Sequence, residues 1–265
     1  MNTLKIHNPF NAPVYHEETV TSTMDISRRL ASNGEISGSV ITADVQEEGR
    51  GRIRGRLWRM DKYQSLAFTI LLRYGQIENI PRALTLRTGL AVSLAIEDFV
   101  FSLKNADESF NVLVKWPNDI MINSKKAGGI LCEADGGNVH IGIGINVSQN
   151  DFPAHLSEKA VSISLASGLK IKKQDHFILL EKILIRLHDE LACNKTENIK
   201  EDWKTRLEKR LYKKGEKVIF LDGAADSSKE VRGRLSGITD EGELLIIPEG
   251  ETKPCAFITG ELAFR

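Results

Sequence analysis

Apolar residues recur along this chain with two periods, and the change of period maps its elements. Residues 22–33, STMDISRRLASN, predict a capped helix start in which Ser22 or Thr23 caps and Asp25 sits in the first turn. A long helix is predicted to open at Pro81, with Leu86, Leu90 and Leu94 on one face. A second covers about Gln174 to Cys193, with Leu180, Leu184, Leu187 and Leu191 in line. Strands are predicted at Val40–Thr42, Ser65–Leu72, Asn111–Val114, Ile120–Ile122, Gly129–Glu133 and Val139–Val147. Short polar turns, Asn123-Ser124 and Asp135-Gly136-Gly137, separate the later ones as in antiparallel hairpins. The pattern changes near Gly215. From there only short runs occur, at Lys217–Leu221, Val231–Ser236, Glu243–Pro248 and Ala256–Ile258, which predict a small β-barrel of about fifty residues. The fold class expected is α+β, with a mostly antiparallel sheet and helices over residues 1–212 and the small β domain over 213–265.

Composition narrows the function. Lys+Arg and Asp+Glu both number 36, so the overall charge gives no reason to expect a polyanionic partner or a membrane surface. The 3 cysteines are far apart and the 6 histidines are scattered, which argues against a disulfide framework and a zinc site. The start lacks an apolar signal core and the apolar runs are too short to cross a bilayer, so a cytoplasmic enzyme is expected.

Four segments carry candidate chemistry. Gly49-Arg50-Gly51-Arg52-Ile53-Arg54-Gly55-Arg56-Leu57-Trp58-Arg59 packs arginines between glycines after a strand. Arginine forks suit phosphate or acyl-phosphate oxygens, and glycine lets the backbone approach a ligand. A solvated basic loop or a nucleic-acid arm fits the same pattern. Lys115-Trp116-Pro117-Asn118-Asp119 forms a rigid corner whose amide and carboxylate suit Mg²⁺ and nucleotide phosphates; a plain Pro-Asn-Asp turn is the alternative. Lys126, followed by Ala127-Gly128-Gly129, could place one charge in a pocket or sit on a surface hairpin. Gly142-Ile143-Gly144-Ile145-Asn146 makes one strand face smooth and the other apolar, which serves a flat ligand or close helix packing equally well.

Taken in order, these segments resemble the biotin protein ligase family. The match comprises Ser22-Thr23, Gln46, Gly49 to Arg52 with Gly55-Arg56 and Trp58, Lys115 to Asp119, Lys126 to Leu131, Gly142 to Asn146, and Thr259-Gly260-Glu261. The resemblance implies a class II synthetase-like catalytic domain with an SH3-like C-terminal barrel. It implies formation of biotinyl-5′-adenylate from biotin and ATP, then transfer of biotin to a lysine of a biotin carboxyl carrier domain. Biotin would be held by Ser22, Thr23, Met24, Gln46, Gly49, Arg50, Gly51, Arg52, Lys126, Gly128, Gly142 and Gly144. ATP and the adenylate would meet Arg52, Arg54, Arg56, Trp58, Lys115, Asn118 and Asn146; Asp119 and Asn118 would serve Mg²⁺. Lys126, Arg52 and Arg50 would carry the catalysis, with no prosthetic group.

Two departures stand out. Two residues, Ile53 and Arg54, separate GRGR from GR where some relatives have one, and Met24 stands where many carry Asn. No helix-turn-helix precedes the catalytic region, so no DNA binding is expected. An exposed edge strand could pair with a second copy or with the carrier. Rival readings are a lipoate protein ligase, a nucleic-acid-binding module and a biotin sensor that does not ligate.

Overall fold

A computed structural model describes residues 1–53, 55, 58, 62–103, 110–192, 201–223 and 229–263. Eight strands form the main sheet: β1 (Asn2–Thr3), β2 (Val14–Val20), β3 (Val40–Gln46), β4 (Ser65–Gly75), β5 (Val112–Lys115), β6 (Asp119–Ile122), β7 (Lys125–Asp135) and β8 (Gly137–Asn146). Their order is β1-β2-β3-β4-β8-β7-β6-β5, and only β2 and β3 run parallel. The expected α+β class with a mostly antiparallel sheet is what the chain adopts.

The sheet has two unlike faces. α2 (Leu84–Leu103) and α4 (Lys173–Leu191) pack on one, over Leu66, Phe68 and Ile70 of β4 and Ile141, Ile143 and Ile145 of β8. Each fully buried Ile, Leu or Phe there contributes about 1.5–3 kcal/mol. α1 (Thr23–Ser32) lies on the other face, where Ile26 joins the smaller cluster of Val20, Ile41 and Ala43. α2 starts at Leu84 rather than Pro81, because Ala83 takes a left-handed φ of 52° that a helix cannot include. The β6–β7 turn has positive φ at both Asn123 (49°) and Ser124 (60°), which matches the right-handed twist of its strands.

α3 (Ile163–Ser167) and α5 (Trp203–Glu208) lead to a second, five-stranded antiparallel sheet. Its strands are β9 (Lys217–Asp222), β10 (Lys229–Ile238), β11 (Leu244–Pro248), β12 (Cys255–Phe257) and β13 (Gly260–Leu262), in the order β12-β11-β10-β9-β13. No pairing joins β12 to β13 among the described residues, so what is seen of the expected barrel is this five-strand ladder. Phe220, Leu235 and Ile238 continue the core beneath α2 and α4. The edge strand β5 is covered: Val114 donates to the Arg210 carbonyl (2.8 Å) and accepts from Tyr212 N–H (2.9 Å). That edge therefore lacks the free backbone groups expected of a pairing surface. No helix among the described residues is long and apolar enough to cross a membrane.

Two histidines are buried in this scaffold. Burial pushes the His176 imidazole down to about 4, and burial with the nearby Arg28 lowers His140 too. His176 bonds Ser148 (2.7 Å) and His140 bonds Ser27 (2.7 Å). The unfolded chain protonates each near pH 6.5 while the folded chain resists, so their stabilisation is full above that pH and is lost as pH falls toward 4. The unfolding free energy in urea should fall by on the order of 3 kcal/mol from His176 alone between pH 7 and 4. His176→Gln should show a shallower decline; an unchanged slope would mean that this histidine is not the sensitive group.

Candidate functional site

The strand period of two decides which residues share the α1 face. Cross-strand partners point the same way, so the pairs Ile41↔Thr69, Thr69↔Gly142, Ala67↔Gly144 and Gly129↔Gly144 set Gly142, Gly144 and Gly129 side by side. The isoleucines between the glycines of β8 all go into the opposite core. The smooth-face reading of Gly142-Ile143-Gly144 thus describes the arrangement, and the close approach is made by side chains. A Cβ on Gly142 would lie 2.8 Å from the Met24 sulfur, and one on Gly144 would lie 2.6 Å from the Trp58 indole.

Gly128 is on the wrong face for the role the resemblance gives it. It pairs with Ile120 and Ile145, both core residues, and its missing Cβ would meet the Gly144 carbonyl oxygen at 2.8 Å. Gly129 takes its place on the α1 face, with Lys126 Nζ 3.5 Å from where its Cβ would be. The cause is a bulge. Ile120 pairs with Gly128 but Met121 pairs with Lys126, leaving Ala127 as the extra residue. The bulge returns Lys126 to the face that Gly129 occupies, although the two are an odd number of residues apart.

At one end of the glycine patch stands a buried amide–hydroxyl network. Ser22 caps α1 by accepting from Met24 N–H (3.3 Å). Gln46, at the end of β3, accepts from both the Thr23 N–H (2.9 Å) and the Thr23 hydroxyl (3.0 Å). The Thr69 hydroxyl donates to Thr23 Oγ1 (2.8 Å). With its oxygen held twice, Gln46 turns its Nε2 toward Gly49, where a Cβ would be 3.3 Å away. Sequence reasoning missed Thr69; the signal was a lone polar residue inside the apolar run 66–72.

At the other end stands a charge cluster. Lys126 Nζ pairs with Asp119 Oδ1 at 2.6 Å. Lys115 pairs with Asp119 across the Pro117 corner and is buried. Burial pushes its ammonium down to about 8, against the pull of Asp119 and Glu261 and with a further push from Lys126 and Lys213. Asn118 turns its amide N–H onto the Ile130 carbonyl (2.8 Å). The oxygens that this corner offers a Mg²⁺ are those of Asp119, one of which Lys126 already matches, and the Asn118 amide oxygen. The described residues hold no group of three or more His, Cys, Asp or Glu placed for a metal. Asn146 likewise uses its amide N–H on the Val161 carbonyl (3.2 Å).

The Gly/Arg loop spans the cluster and the network. Its neck is closed by Trp58 N–H donating to the Gly49 carbonyl (2.7 Å). Arg50 pairs with Asp25 in the first turn of α1 (2.5 Å). Arg52 donates to the Gly260 carbonyl of β13 (3.0 Å), next to Glu261. Gly51 lies between them, exposed, while Arg54 and Arg56 lie outside the described residues. Trp116 is a core residue: its indole N–H donates to the Gly242 carbonyl (3.0 Å) and its ring meets Phe220 edge-on. The second sheet is thereby docked against both the loop and the Lys115 corner.

Residues 17–150 match the model of the Biotin/lipoate A/B protein ligase family. The bifunctional ligase/repressor BirA of Bacillus subtilis is 37% identical over 168 residues, 60% of this chain and 48% of that protein. The chain thus spans about half the length of the Bacillus relatives it matches. The biotin--[acetyl-CoA-carboxylase] ligase of Paracoccus denitrificans is 29% identical, covering 80% of this chain and 85% of that one. Among solved structures, the biotin protein ligase of Aquifex aeolicus in complex with biotin and ATP superposes with a TM-score of 0.76 at 28% identity, covering 95% of this chain and 98% of that one.

The two adjacent glycines of β7 separate fold from site. Gly128→Ala forces a methyl against a backbone oxygen and two core isoleucines, so it should destabilise the protein by about 1–3 kcal/mol. Gly129→Ala meets nothing closer than 3.5 Å and should leave the thermal midpoint nearly unchanged. Thermal unfolding of both variants checks this; equal losses would contradict the assigned faces.

Proposed function

Because this chain belongs to the Biotin/lipoate A/B protein ligase family, we propose that it activates biotin with ATP and transfers it to a lysine of a carrier protein. The observation that carries the reading is the glycine patch, roofed by the Met24 and Trp58 side chains, which runs from the Thr23–Gln46 network to the Lys126–Asp119 pair. A flat, uncharged head group takes the place of the Met24 and Trp58 side chains over Gly142 and Gly144 when these swing aside, with the Gln46 amide and the Ser22 and Thr23 hydroxyls to bond its polar edge. A carboxylate on a short chain then lies toward Lys126.

In the first step, a carboxylate oxygen of biotin attacks the α-phosphorus of ATP and the bond to pyrophosphate breaks. Lys126 holds the carboxylate and then the acyl-phosphate oxygens, with Arg50 and Arg52 closing over them. Lys115 and Asn118 frame the phosphate end, and Trp58 supplies a ring face beside it. Magnesium enters as part of the Mg–ATP substrate. In the second step, the carrier amine attacks the acyl carbon, the acyl C–O bond breaks, AMP leaves, and the amine proton passes to solvent. ATP provides the activation, so positioning and charge neutralisation are sufficient and no protein nucleophile is needed. A biotin carboxyl carrier domain is the partner this chemistry serves, and the cytoplasm is the compartment proposed for it.

The test is pyrophosphate exchange into ATP, run with biotin and with lipoate. Exchange that depends on biotin is expected; exchange with lipoate alone would move the activity to the sister ligase, and none with either acid would end the ligase reading. A companion expectation concerns the loop. Arg52→Ala should release biotinyl-adenylate about tenfold faster, the loss of a charge-assisted bond of about 1.5 kcal/mol, with little change in thermal midpoint because the loop is exposed. Unfolding of Arg52→Ala would instead make its bond to Gly260 structural.

A further inference from the structure

Lys126 reaches the ligand face only through the bulge at Ala127, and a buried polar lock holds the residue on which that bulge turns. Asn146 and Gln149 are both only 8% exposed. Gln149 Nε2 donates to Ser65 Oγ (2.6 Å) and to Asn146 Oδ1 (3.3 Å). The Gln149 carbonyl accepts from Ser162 Oγ (2.6 Å), the hydroxyl that caps α3. With its oxygen fixed, the Asn146 amide is aimed at the Val161 carbonyl (3.2 Å) and, more distantly, at the carbonyl of Lys126 itself (3.5 Å). Val161 N–H donates to that same Lys126 carbonyl (3.0 Å), and Lys126 N–H donates to the Lys159 carbonyl (2.8 Å).

We propose that Gln149, acting through Asn146, is a positioning residue for Lys126. A bulge is the one place in a ladder where register can slip by a residue, and such a slip exchanges faces. Clamping the backbone of Lys126 between residues 159–161 and Asn146 keeps the extra residue at Ala127 and the ammonium beside Asp119. Asn146 then serves the cation's backbone in place of the nucleotide. This inference rests on the reading that Lys126 faces the carboxylate of the acid substrate.

The experiment compares binding of biotin with that of biotinol, which keeps the ring and chain but replaces the carboxylate by an uncharged alcohol. Dissociation constants are measured by titration calorimetry on the full chain for the wild type, Lys126→Met and Gln149→Met. Lys126→Met should weaken biotin about tenfold and leave biotinol unchanged, and Gln149→Met should reproduce that selective loss. Equal weakening of both ligands by Gln149→Met, with Lys126→Met still selective, would make Gln149 a general packing residue and overturn the inference alone. A wild type that binds biotin no better than biotinol would overturn the role of Lys126, and one that binds neither would overturn the proposed function as well. Should Gln149→Met fail to fold, Ser65→Ala removes only the anchor of the Gln149 amide and should show the same selectivity at about fivefold.

Discussion

The two-residue period of the β-strand, broken once, is the constraint on which the rest of this molecule depends. Along β8 it sends Ile141, Ile143 and Ile145 into the core under α2 and α4 and turns Gly142 and Gly144 to the other face. The same period on β7 would bury Lys126 in that core if Gly129 were kept on the α1 face. One extra residue at Ala127 resolves the conflict. The lysine then stands beside Asp119, while Ala127, which has no polar atom to satisfy, takes the buried position.

The polar groups around the patch are arranged before any ligand arrives. Thr69, Thr23 and Gln46 form a chain in which the Thr69 hydroxyl donates to that of Thr23 and the Thr23 hydroxyl donates on to the Gln46 oxygen, so the Gln46 amide can present its N–H groups in only one direction. Little reorganisation is left to be done when a ligand takes those bonds. The charged end works differently. Lys115, Lys126 and Asp119 share one corner, and burial of Lys115 weakens its hold on its proton even beside two carboxylates.

The second sheet is tied to the loop and to the Lys115 corner. Arg52 from the loop and Trp116 from the Pro117 corner both donate to backbone carbonyls on it, at Gly260 and Gly242, and Glu261 acts on Lys115. These contacts join residues more than a hundred positions apart. They add polar ties to a hydrophobic core that the two sheets already share.

The sequence by itself determined the elements and the chemistry on offer. Heptad-like leucines marked α2 and α4, turn residues marked the hairpins, and the Gly/Arg loop, the Lys115 corner and Lys126 identified the charged groups, because these signals are local and periodic. The parallel pairing of β2 with β3, the short helices α3 and α5, and strand β13 were not legible, since they depend on partners distant in the chain. Nor could sequence tell Gly128 from Gly129 or reveal Thr69, Asn146 and Gln149 as members of shared networks. Face and partner are properties of register, and register is fixed by how strands align across a sheet. One inserted residue inverts it while leaving local composition almost the same. Only the tertiary structure could make that choice.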